Sequence, residues 1–505
     1  MKIKLSIPFL FLSQLTIAGN GFKSNFGFTE LFITLFLVSA LFLILWGLSV
    51  ATSTLKKKIE EYNINPVENK YNIARTETRL EEMLQSKYVV LYCGMLFVFL
   101  YFCWALVSGT ALESHVIEWM NLVVRWMHVV FGIAWIGASF YFVFLENALN
   151  RTKDLRPELA GNLWAIHGGG FYYLEKYKVA PAVLPKDLHW FKYESYFTWL
   201  SGFTLMVIIY YLGADVYLID PEVMKLSPEV AIGISIGTLY GSWVVYDALC
   251  KTALVDKVLL FAFILLIFVG IVAYGMLHVF SSRAAYIHVG AVLGTIMAGN
   301  VFRVIIPSQK AMVNAAKDGK EVDGSYGKRA LRRSLHNNYF TLPVIFIMIS
   351  NHFPSTYGSE FNWLVLMGLT VASVVIKHYL NITEQGQKSV WILPIGIILM
   401  IGMALLTAPR QKEVCKENAP ASILEVQAII KERCATCHSA TPTDDVIKIA
   451  PNNIVFDTPE NTVALAERIN QRAVVTKTMP QANKTGMTQE ERDLIQCWIQ
   501  HGAKK

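Results

Sequence analysis

The chain has 505 residues, of which 54% are hydrophobic and only 16% are charged, and its formal net charge is +7. Apolar runs of about 20 residues match what a helix needs to cross a bilayer core of about 30 Å, which excludes an ordinary soluble protein. The basic residues lie in loops between the apolar runs. This position favours a role in membrane orientation, so we expect a lipid bilayer and no nucleic acid as partner.

The first 19 residues combine two lysines, a short apolar stretch and small residues near Ala18, which is typical of a signal peptide, with an uncleaved anchor as the alternative. We predict an all-α fold, in which a polytopic transmembrane bundle of about ten helices precedes a small all-α C-terminal domain. Two helices belong to an N-terminal extension, 20–110, with a charged cytoplasmic segment, and eight form the core domain, 111–408. The apolar segments are 29–52, 88–109, 116–145, 195–212, 229–250, 257–280, 284–306, 339–354, 361–381 and 389–408.

The segment 116–145 carries a polar and small-residue stripe on an otherwise apolar helix. At helical spacing, Arg125 and His128 fall close to Gly132, Trp135 and Ser139. An ionisable residue inside a membrane helix costs a few kcal/mol on insertion scales and is usually functional or paired within the bundle. The alternative is that the arginine snorkels to the outer surface.

A long loop at 163–202 contains three consecutive glycines, alternating aromatic and polar residues and two prolines. This pattern predicts a compact extended turn at the membrane face. His189 and Lys192 lie in it as possible substrate residues. The aromatic residues and lysines could equally form an interfacial belt.

The C-terminal part is a linker, 409–420, followed by a domain, 421–505, that contains the motif "ERCATCH". The apolar spacing of "SILEVQAIIKERCATCHS" predicts a helix that runs into this motif. Thr488, with a glutamate three residues later, predicts the start of a last helix. Two helices that flank such a motif resemble a small, class I-like cytochrome c domain. Cys415 and Cys497 could form a disulfide or be unrelated thiols.

The C-x-x-C-H motif is the arrangement that attaches a c-type haem. Cys434 and Cys437 would form thioethers to the haem, and His438 would be the proximal iron ligand. Met479, which precedes a proline, is the preferred second axial ligand, and Met487 is the alternative. A zinc or redox motif is disfavoured by the adjoining histidine and the downstream Met-Pro pair.

Haem attachment to this motif takes place outside the cytoplasm, which orients every preceding helix. The segments 53–87, 146–194 and 307–338 then lie inside, and each carries seven lysines or arginines. The opposite loops carry only Lys225 and Arg283. Because this asymmetry obeys the positive-inside rule, we expect a multi-pass protein of the bacterial inner membrane with a periplasmic cytochrome domain.

This topology places four histidines at comparable depth on four helices, in the outer half of the membrane. A single such histidine is more often a hydrogen-bonded structural residue than a ligand. Imidazoles on facing helices are also how bundles hold metals and haems, so the set could bind haem b or line an oxidation site. The four are His128, His278, His288 and His352.

Three segments resemble a known family: "RWMHVVFGIAWIGASFYFVFLENAL", "LHWFKYESYFTWLSGF" and "HVGAVLGTIMAGNVFRVIIPSQ". They look like the membrane region of the cytochrome-c-fused urate hydroxylases, which have a urate oxidase N-terminal membrane domain. The likeness covers about 116–505, and the extension departs from it. It implies oxidation of urate to 5-hydroxyisourate, with electrons leaving through the cytochrome c to a respiratory acceptor, either a soluble cytochrome c or a terminal oxidase.

Urate is a planar anion, so its site should combine an arginine or lysine, aromatic stacking and a hydrogen-bonding amide. Two sets are available within the bundle: Arg125 with His128, and Arg303 with Asn300 and His288. A base of near-neutral pKa would help to remove a urate proton as electrons leave. His128 is the first candidate for this base and His288 the second.

A different class of function is also compatible with the spacing. The chain could be an electron-transfer subunit of a terminal oxidase complex, with no small-molecule site and with b haems held by pairs such as His128 and His288.

The two possible urate sites differ in their depth in the membrane. A site at His189 and Lys192 would require electrons to cross about 30 Å of hydrocarbon, whereas an outer site would lie directly below the cytochrome domain.

Overall fold

A computed structural model of the protein describes residues 106–504 apart from 109, 111, 182, 186, 187, 409–414 and 416–420. The predicted signal peptide and both helices of the extension lie outside the described residues, except for the last residues of the segment 88–109. The described chain is mostly helical and contains a single two-stranded sheet. The helical fold predicted from the apolar segments is confirmed for this part of the chain.

The eight apolar segments of the core domain all lie in helices. Four helices of the described chain are long and apolar enough to cross a membrane, which indicates a membrane protein. In chain order the helices are α1 (Glu113–Asn147), α2 (Tyr193–Met206), α3 (Pro228–Leu249), α4 (Val258–Leu277), α5 (Ser282–Asn300), α6 (Ile306–Lys317), α7 (Gly324–Ser350), α8 (Pro354–Tyr357), α9 (Asn362–Glu384) and α10 (Ile392–Leu406).

Two of these helices widen into π-helical segments. Helix α2 continues into Val207–Tyr211, followed by a second segment at Ala214–Leu218. Helix α5 continues through Val301–Ile305 into α6. In a π-helical turn residue i bonds to i+5, and such turns occur frequently at functional sites. The side chains on these segments are therefore candidate functional residues.

The loop between α1 and α2 forms an antiparallel hairpin. Strand β1 (Leu159–His167) pairs with β2 (Gly170–Tyr177). The turn uses Gly168 and Gly169, whose φ angles of 58° and 79° lie in the left-handed region that glycine adopts without strain. The compact extended turn predicted for this loop is therefore confirmed, and two of its three consecutive glycines form the turn itself.

Helix α5 is the most buried element of the bundle, and most of its side chains are inaccessible to solvent. It packs against α3, α4 and α7. Gly299 permits this packing, because a Cβ there would collide with the indole of Trp243. A polar side chain on α5 is therefore surrounded by protein and must find its hydrogen bonds within the bundle.

The C-terminal module, residues 421–504, is built from four short helices around a small apolar core. Its outer helices both begin with a capping box, at Ser422 and Thr488, so the predicted start of the last helix is confirmed. Cys415 forms a disulfide with Cys497 and ties the linker to the last helix. The helices are α11 (Ile423–Arg433), α12 (Pro459–Ala464), α13 (Ala466–Ile469) and α14 (Gln489–Gln500).

The C-terminal module packs against one end of the helix bundle. Asn483 donates a hydrogen bond of 2.6 Å to Oε1 of Glu222, in the loop before α3. Gly358, at the end of α8, lies against the backbone of Thr476. We call this the module-facing end of the bundle, and the end that carries the start of α7 the opposite end.

Candidate functional site

The C-x-x-C-H motif begins directly after α11 and has the hydrogen bonding of a metal ligand. Cys434 and Cys437 are both free thiols. Nδ1 of His438 lies 3.1 Å from the carbonyl oxygen of Ile454, so it must donate a proton there. Metal-binding histidines usually donate their second N–H to a carbonyl or carboxylate in this way, which fixes the ring and presents Nε2.

The two candidate methionines have different environments. Met487 is buried in the apolar core of the module, with 3% of its surface exposed. Met479 is half-buried, and its carbonyl oxygen accepts a hydrogen bond of 2.8 Å from Arg492. Met487 therefore already has a packing role, whereas the side chain of Met479 does not belong to that core.

Burial shifts the pKa values of Cys434 and His438 toward their neutral forms. Burial raises the pKa of the Cys434 thiol to about 12. Burial also lowers the pKa of His438, more than its hydrogen bond to Ile454 raises it, which favours the neutral imidazole that binds iron. Two free thiols, an oriented imidazole and a thioether in one small module fit a c-type haem.

Tyr217, on the second π-helical segment, connects the module to the bundle. Its hydroxyl lies within electrostatic range of Cys437, and also of Asp444 and Lys484. From the bundle side, the guanidinium of Arg283 lies over the Tyr217 ring, 5.8 Å from its centroid. Tyr217 therefore lies between the C-x-x-C-H motif of the module and Arg283 at the start of α5.

Arg125 and Arg283 lie within electrostatic range of each other, although they are on different helices. Arg125 donates two hydrogen bonds, of 3.2 and 2.9 Å, to the amide oxygen of Asn121. Arg283 donates one of 3.2 Å to the amide oxygen of Asn351. Both are half-buried, and neither forms an ion pair with a carboxylate of the described residues. The Tyr210 hydroxyl lies within electrostatic range of both arginines.

His128 and Gly132 of the polar stripe on α1 face α2, whereas Ser139 accepts hydrogen bonds from Asn338 on α7. Nδ1 of His128 donates a hydrogen bond of 3.0 Å to the carbonyl oxygen of Thr198 and lies 3.2 Å from Oγ of Ser201. The ring also lies against Gly202, where a Cβ would approach it to 2.9 Å. Its Nε2 has no hydrogen bond to the described residues, so His128 retains a nitrogen that can accept a proton.

His288 is completely buried, and both of its nitrogens are occupied. Nδ1 lies 2.7 Å from the carbonyl oxygen of Ala284 and must donate to it. Nε2 therefore accepts from Oγ of Ser235 at 2.7 Å, and Ser235 in turn accepts from the Tyr211 hydroxyl at 2.8 Å. This arrangement does not fit ligation of a haem b by His288, because iron binding would break the bond to Ser235.

The expected grouping of Arg303 with Asn300 and His288 is wrong. Asn300 instead accepts a hydrogen bond of 3.0 Å from Arg333, which also forms an ion pair of 2.6 Å with Asp247. Arg303 is exposed and lies over its neighbour Phe302. The reason is local, since the π-helical segment that begins at 301 changes the angle between side chains three residues apart.

The remaining candidates of the sequence analysis have other surroundings. His278 is exposed and bonds the Tyr274 carbonyl of its own helix at 2.8 Å, and His352 is exposed in the turn after α7. Lys192 is buried at the start of α2, with its ammonium over the Tyr193 ring. His189 is exposed in the segment that precedes it. The four outer histidines therefore do not form one cluster.

Comparison with protein families gives a single decisive result. The family model described as "Urate oxidase N-terminal" matches residues 114–408, more than half of the chain. The chain belongs to the urate oxidase N-terminal family. Neither the curated proteins nor the solved structures contain a match. Membership of this family indicates an oxidoreductase that acts on urate, as the resemblance implied.

The urate oxidase N-terminal domain also contains polar groups that the sequence analysis missed. At the opposite end, a cavity of about 480 Å³ is lined by Tyr339, His378 and Asn381 among others. The Tyr339 hydroxyl and Nδ1 of His378 lie 2.8 Å apart. Nearby on α9, Lys377 is fully buried, and its ammonium lies 3.7 Å from the centroid of the Phe140 ring. This ammonium has no hydrogen bond within the described part of the chain. These residues come from three helices, so their meeting has no local sequence signal.

Proposed function

We propose that this protein oxidises urate to 5-hydroxyisourate and passes the electrons through a c-type haem in its C-terminal module to a respiratory acceptor. The observation that carries the proposal is the position of the haem-binding motif. Within a urate oxidase N-terminal protein, Cys437 lies within electrostatic range of Tyr217 at the module-facing end. A cytochrome held against the bundle is suited to receive electrons from a site inside it.

The haem would be held by Cys434 and Cys437 as thioethers, with His438 and Met479 as the axial iron ligands. When bound, a haem with this ligation supplies a one-electron acceptor whose potential is raised by the thioether sulfur. The hydrogen bond from Nδ1 of His438 to Ile454 supports this role, because it keeps Nε2 directed away from the backbone.

The reaction balances without dioxygen as a reactant. The urate anion and one water molecule give the 5-hydroxyisourate anion, two protons and two electrons, with the new C–O bond formed to water. The electrons leave one at a time, because a single haem accepts only one. The acceptor that reoxidises the haem is a soluble cytochrome c or a terminal oxidase.

His128 is the residue that we assign as proton acceptor. Its Nδ1 is fixed by Thr198, and its Nε2 has no hydrogen bond to the described residues, whereas both nitrogens of His288 are occupied. His288 then has a positioning role, since it holds Ser235 and through it Tyr211. The protein would lie in the bacterial inner membrane with its module in the periplasm, as the basic inner loops support.

The test is reduction of the haem by urate in purified full-length protein under anaerobic conditions. Urate should reduce the covalently bound haem, and when air and an acceptor are supplied, no hydrogen peroxide should accumulate. Cys434→Ala and Cys437→Ala should greatly weaken the covalent haem stain. Met479→Ala should retain the stain but lower the haem potential, whereas a normal methionine-ligated spectrum in this variant would transfer the ligand role to Met487.

The alternative class gives a different result in the same experiment. A haem-loaded protein that ignores urate but exchanges electrons with a quinol or an oxidase is an electron-transfer subunit. A pyridine haemochrome spectrum adds a second criterion, because stoichiometric non-covalent haem b would reassign the membrane histidines to iron ligation.

A further inference from the structure

We infer that the urate anion binds at the module-facing end, between the guanidinium groups of Arg125 and Arg283, and that the buried hydroxyl of Tyr210 donates a hydrogen bond to it. This inference rests on the proposed function and adds the location of the substrate site. It assigns substrate contacts to Arg283 and Tyr210, which the sequence gave no reason to group with Arg125.

The first argument is the charge of the two arginines. Each guanidinium is held by a neutral amide oxygen, from Asn121 or Asn351. An amide orients the guanidinium without neutralising it, so two positive charges lie within range of each other in a partly buried place. This repulsion is relieved by an anion between them, and arginine is the side chain best suited to bind planar anions with paired hydrogen bonds.

The second argument is a polar group that lacks a partner. Tyr210 is 2% exposed, and its hydroxyl has no hydrogen bond to any of the described residues. Leaving a buried hydroxyl unpaired costs about 1–3 kcal/mol, so such groups are rare and call for an explanation. The hydroxyl lies within electrostatic range of both arginines, and the Tyr210 ring packs edge-on against His288. A bound anion would provide the missing acceptor.

The third argument is the route from this place to the haem. Tyr217 contacts Arg283 through its ring and lies within electrostatic range of Cys437. A substrate at Arg283 would therefore lie beside Tyr217, on the side of the bundle that faces the C-x-x-C-H motif. Tyr210 and Tyr217 both lie on π-helical segments, which occur frequently at functional sites.

The opposite end also holds an uncompensated cation, Lys377, but its ammonium lies over the Phe140 ring, and no pair of guanidinium groups is available there among the described residues. Its buried arginine, Arg333, is already paired with Asp247 and bonded to Asn300. The cavity there is lined by neutral groups such as Tyr339 and Asn381, and by a single lysine, Lys388, with no arginine. An anion at that end would also be separated from the haem by most of the bundle.

The experiment measures urate binding without turnover. Full-length, haem-loaded protein is reduced with dithionite under anaerobic conditions, and the dissociation constant for urate is determined by equilibrium dialysis. Arg125→Gln and Arg283→Gln should each weaken binding about tenfold or more, and Tyr210→Phe should weaken it several-fold, because charged hydrogen bonds are stronger than neutral ones. Arg283→Lys should restore part of the affinity.

Arg329→Gln is the matched control, since Arg329 is an exposed arginine at the opposite end and its loss should leave the dissociation constant unchanged. Covalent haem content and melting temperature report whether each variant is folded. If an arginine variant does not fold, the nearly isosteric Tyr210→Phe variant tests the inference in its place. Unchanged affinity in Arg283→Gln, or a loss in Tyr339→Phe instead, would overturn the location alone. A wild-type protein that neither binds urate nor is reduced by it would overturn the proposed function as well.

Discussion

The two ends of the helix bundle hold their buried arginines in opposite ways. At the opposite end, Arg333 is 4% exposed, and its guanidinium pairs with Asp247 at 2.6 Å and with Asn300 at 3.0 Å. At the module-facing end, Arg125 and Arg283 are bonded to asparagines and have no carboxylate partner among the described residues. The first arrangement removes the positive charge locally, whereas the second keeps it.

This difference separates a structural site from a binding site. A buried ion pair with its hydrogen bonds completed fixes how helices pack, and it has no remaining capacity for a ligand. An oriented but uncompensated guanidinium is costly in a bilayer, and the inferred urate anion would offset this cost when it binds. The comparison predicts that removal of a charged side chain at the opposite end lowers the stability of the protein. Removal of an arginine at the module-facing end should instead weaken urate binding.

The largest effect is expected for Asp247→Ala, which leaves Arg333 buried without its counter-charge. Breaking a buried pair in this way typically costs about 3–5 kcal/mol. The melting temperature of the purified protein should fall steeply, and the yield of folded protein with it. Asp256→Ala is the control, because its partner Arg332 is at the surface, and exposed pairs contribute at most about 1 kcal/mol. Equal effects of the two changes would contradict the comparison.

A smaller loss is expected for Ser235→Ala at the module-facing end. The change removes the donor to Nε2 of His288 and leaves a fully buried acceptor unpaired, which costs about 1–3 kcal/mol. The protein should be less stable to heat while its haem content stays unchanged. Thr238→Ala is the matched control on the same helix, since its hydroxyl bonds only the Ile234 carbonyl. If stability were unaffected in Ser235→Ala, the polar chain through His288 would have no structural role.

Local features of this chain were predictable from sequence. The helix that ends at Arg433, the capping box at Thr488 and the glycine turn at Gly168 depend on residues a few positions apart. The C-x-x-C-H motif was recognisable for the same reason, because its residues are consecutive in the sequence. Apolar segments of about 20 residues predicted the helices of the core domain because the bilayer imposes their length.

Contacts between helices were not predictable in the same way. Asp247 and Arg333 are 86 residues apart, and their pairing depends on how α3 and α7 face each other. Arg283 was counted only as a loop charge, because nothing in the sequence places it over Tyr217. Asn300 was grouped with Arg303, but its actual partner Arg333 lies 33 residues away in the sequence, on α7. A family likeness identified the substrate without locating its site.

Weakening the contact between the module and the bundle tests whether this contact matters for electron transfer. Glu222→Ala removes the acceptor of the Asn483 hydrogen bond, worth about 0.5–1.5 kcal/mol. Reduction of the haem by urate should slow in stopped-flow measurements, with urate affinity and haem content unchanged. Glu229→Ala, an exposed glutamate at the start of α3, is the control. An unchanged rate in the Glu222 variant would mean that this contact does not hold the module for electron transfer.

The smallest effect is expected on the stability of the C-terminal module, where a single carboxyl, that of Glu491, is changed. Burial alone would raise the pKa of Glu491, but its bonds to Arg433 and to the Thr488 backbone outweigh burial and lower the pKa. A carboxyl whose pKa is lower in the folded state stabilises that state at any pH above its unfolded pKa of about 4.3. This stabilisation is lost as the pH falls through the folded pKa.

Glu491→Gln should therefore lower the melting temperature of the module at pH 7, measured by haem absorbance in the full-length protein, and the difference from wild type should shrink toward pH 3. Glu490→Gln, which changes an exposed neighbour on the same turn, should show a smaller difference at pH 7. A difference for Glu491→Gln that stays constant from pH 7 to pH 3 would assign its effect to lost packing and not to its charge.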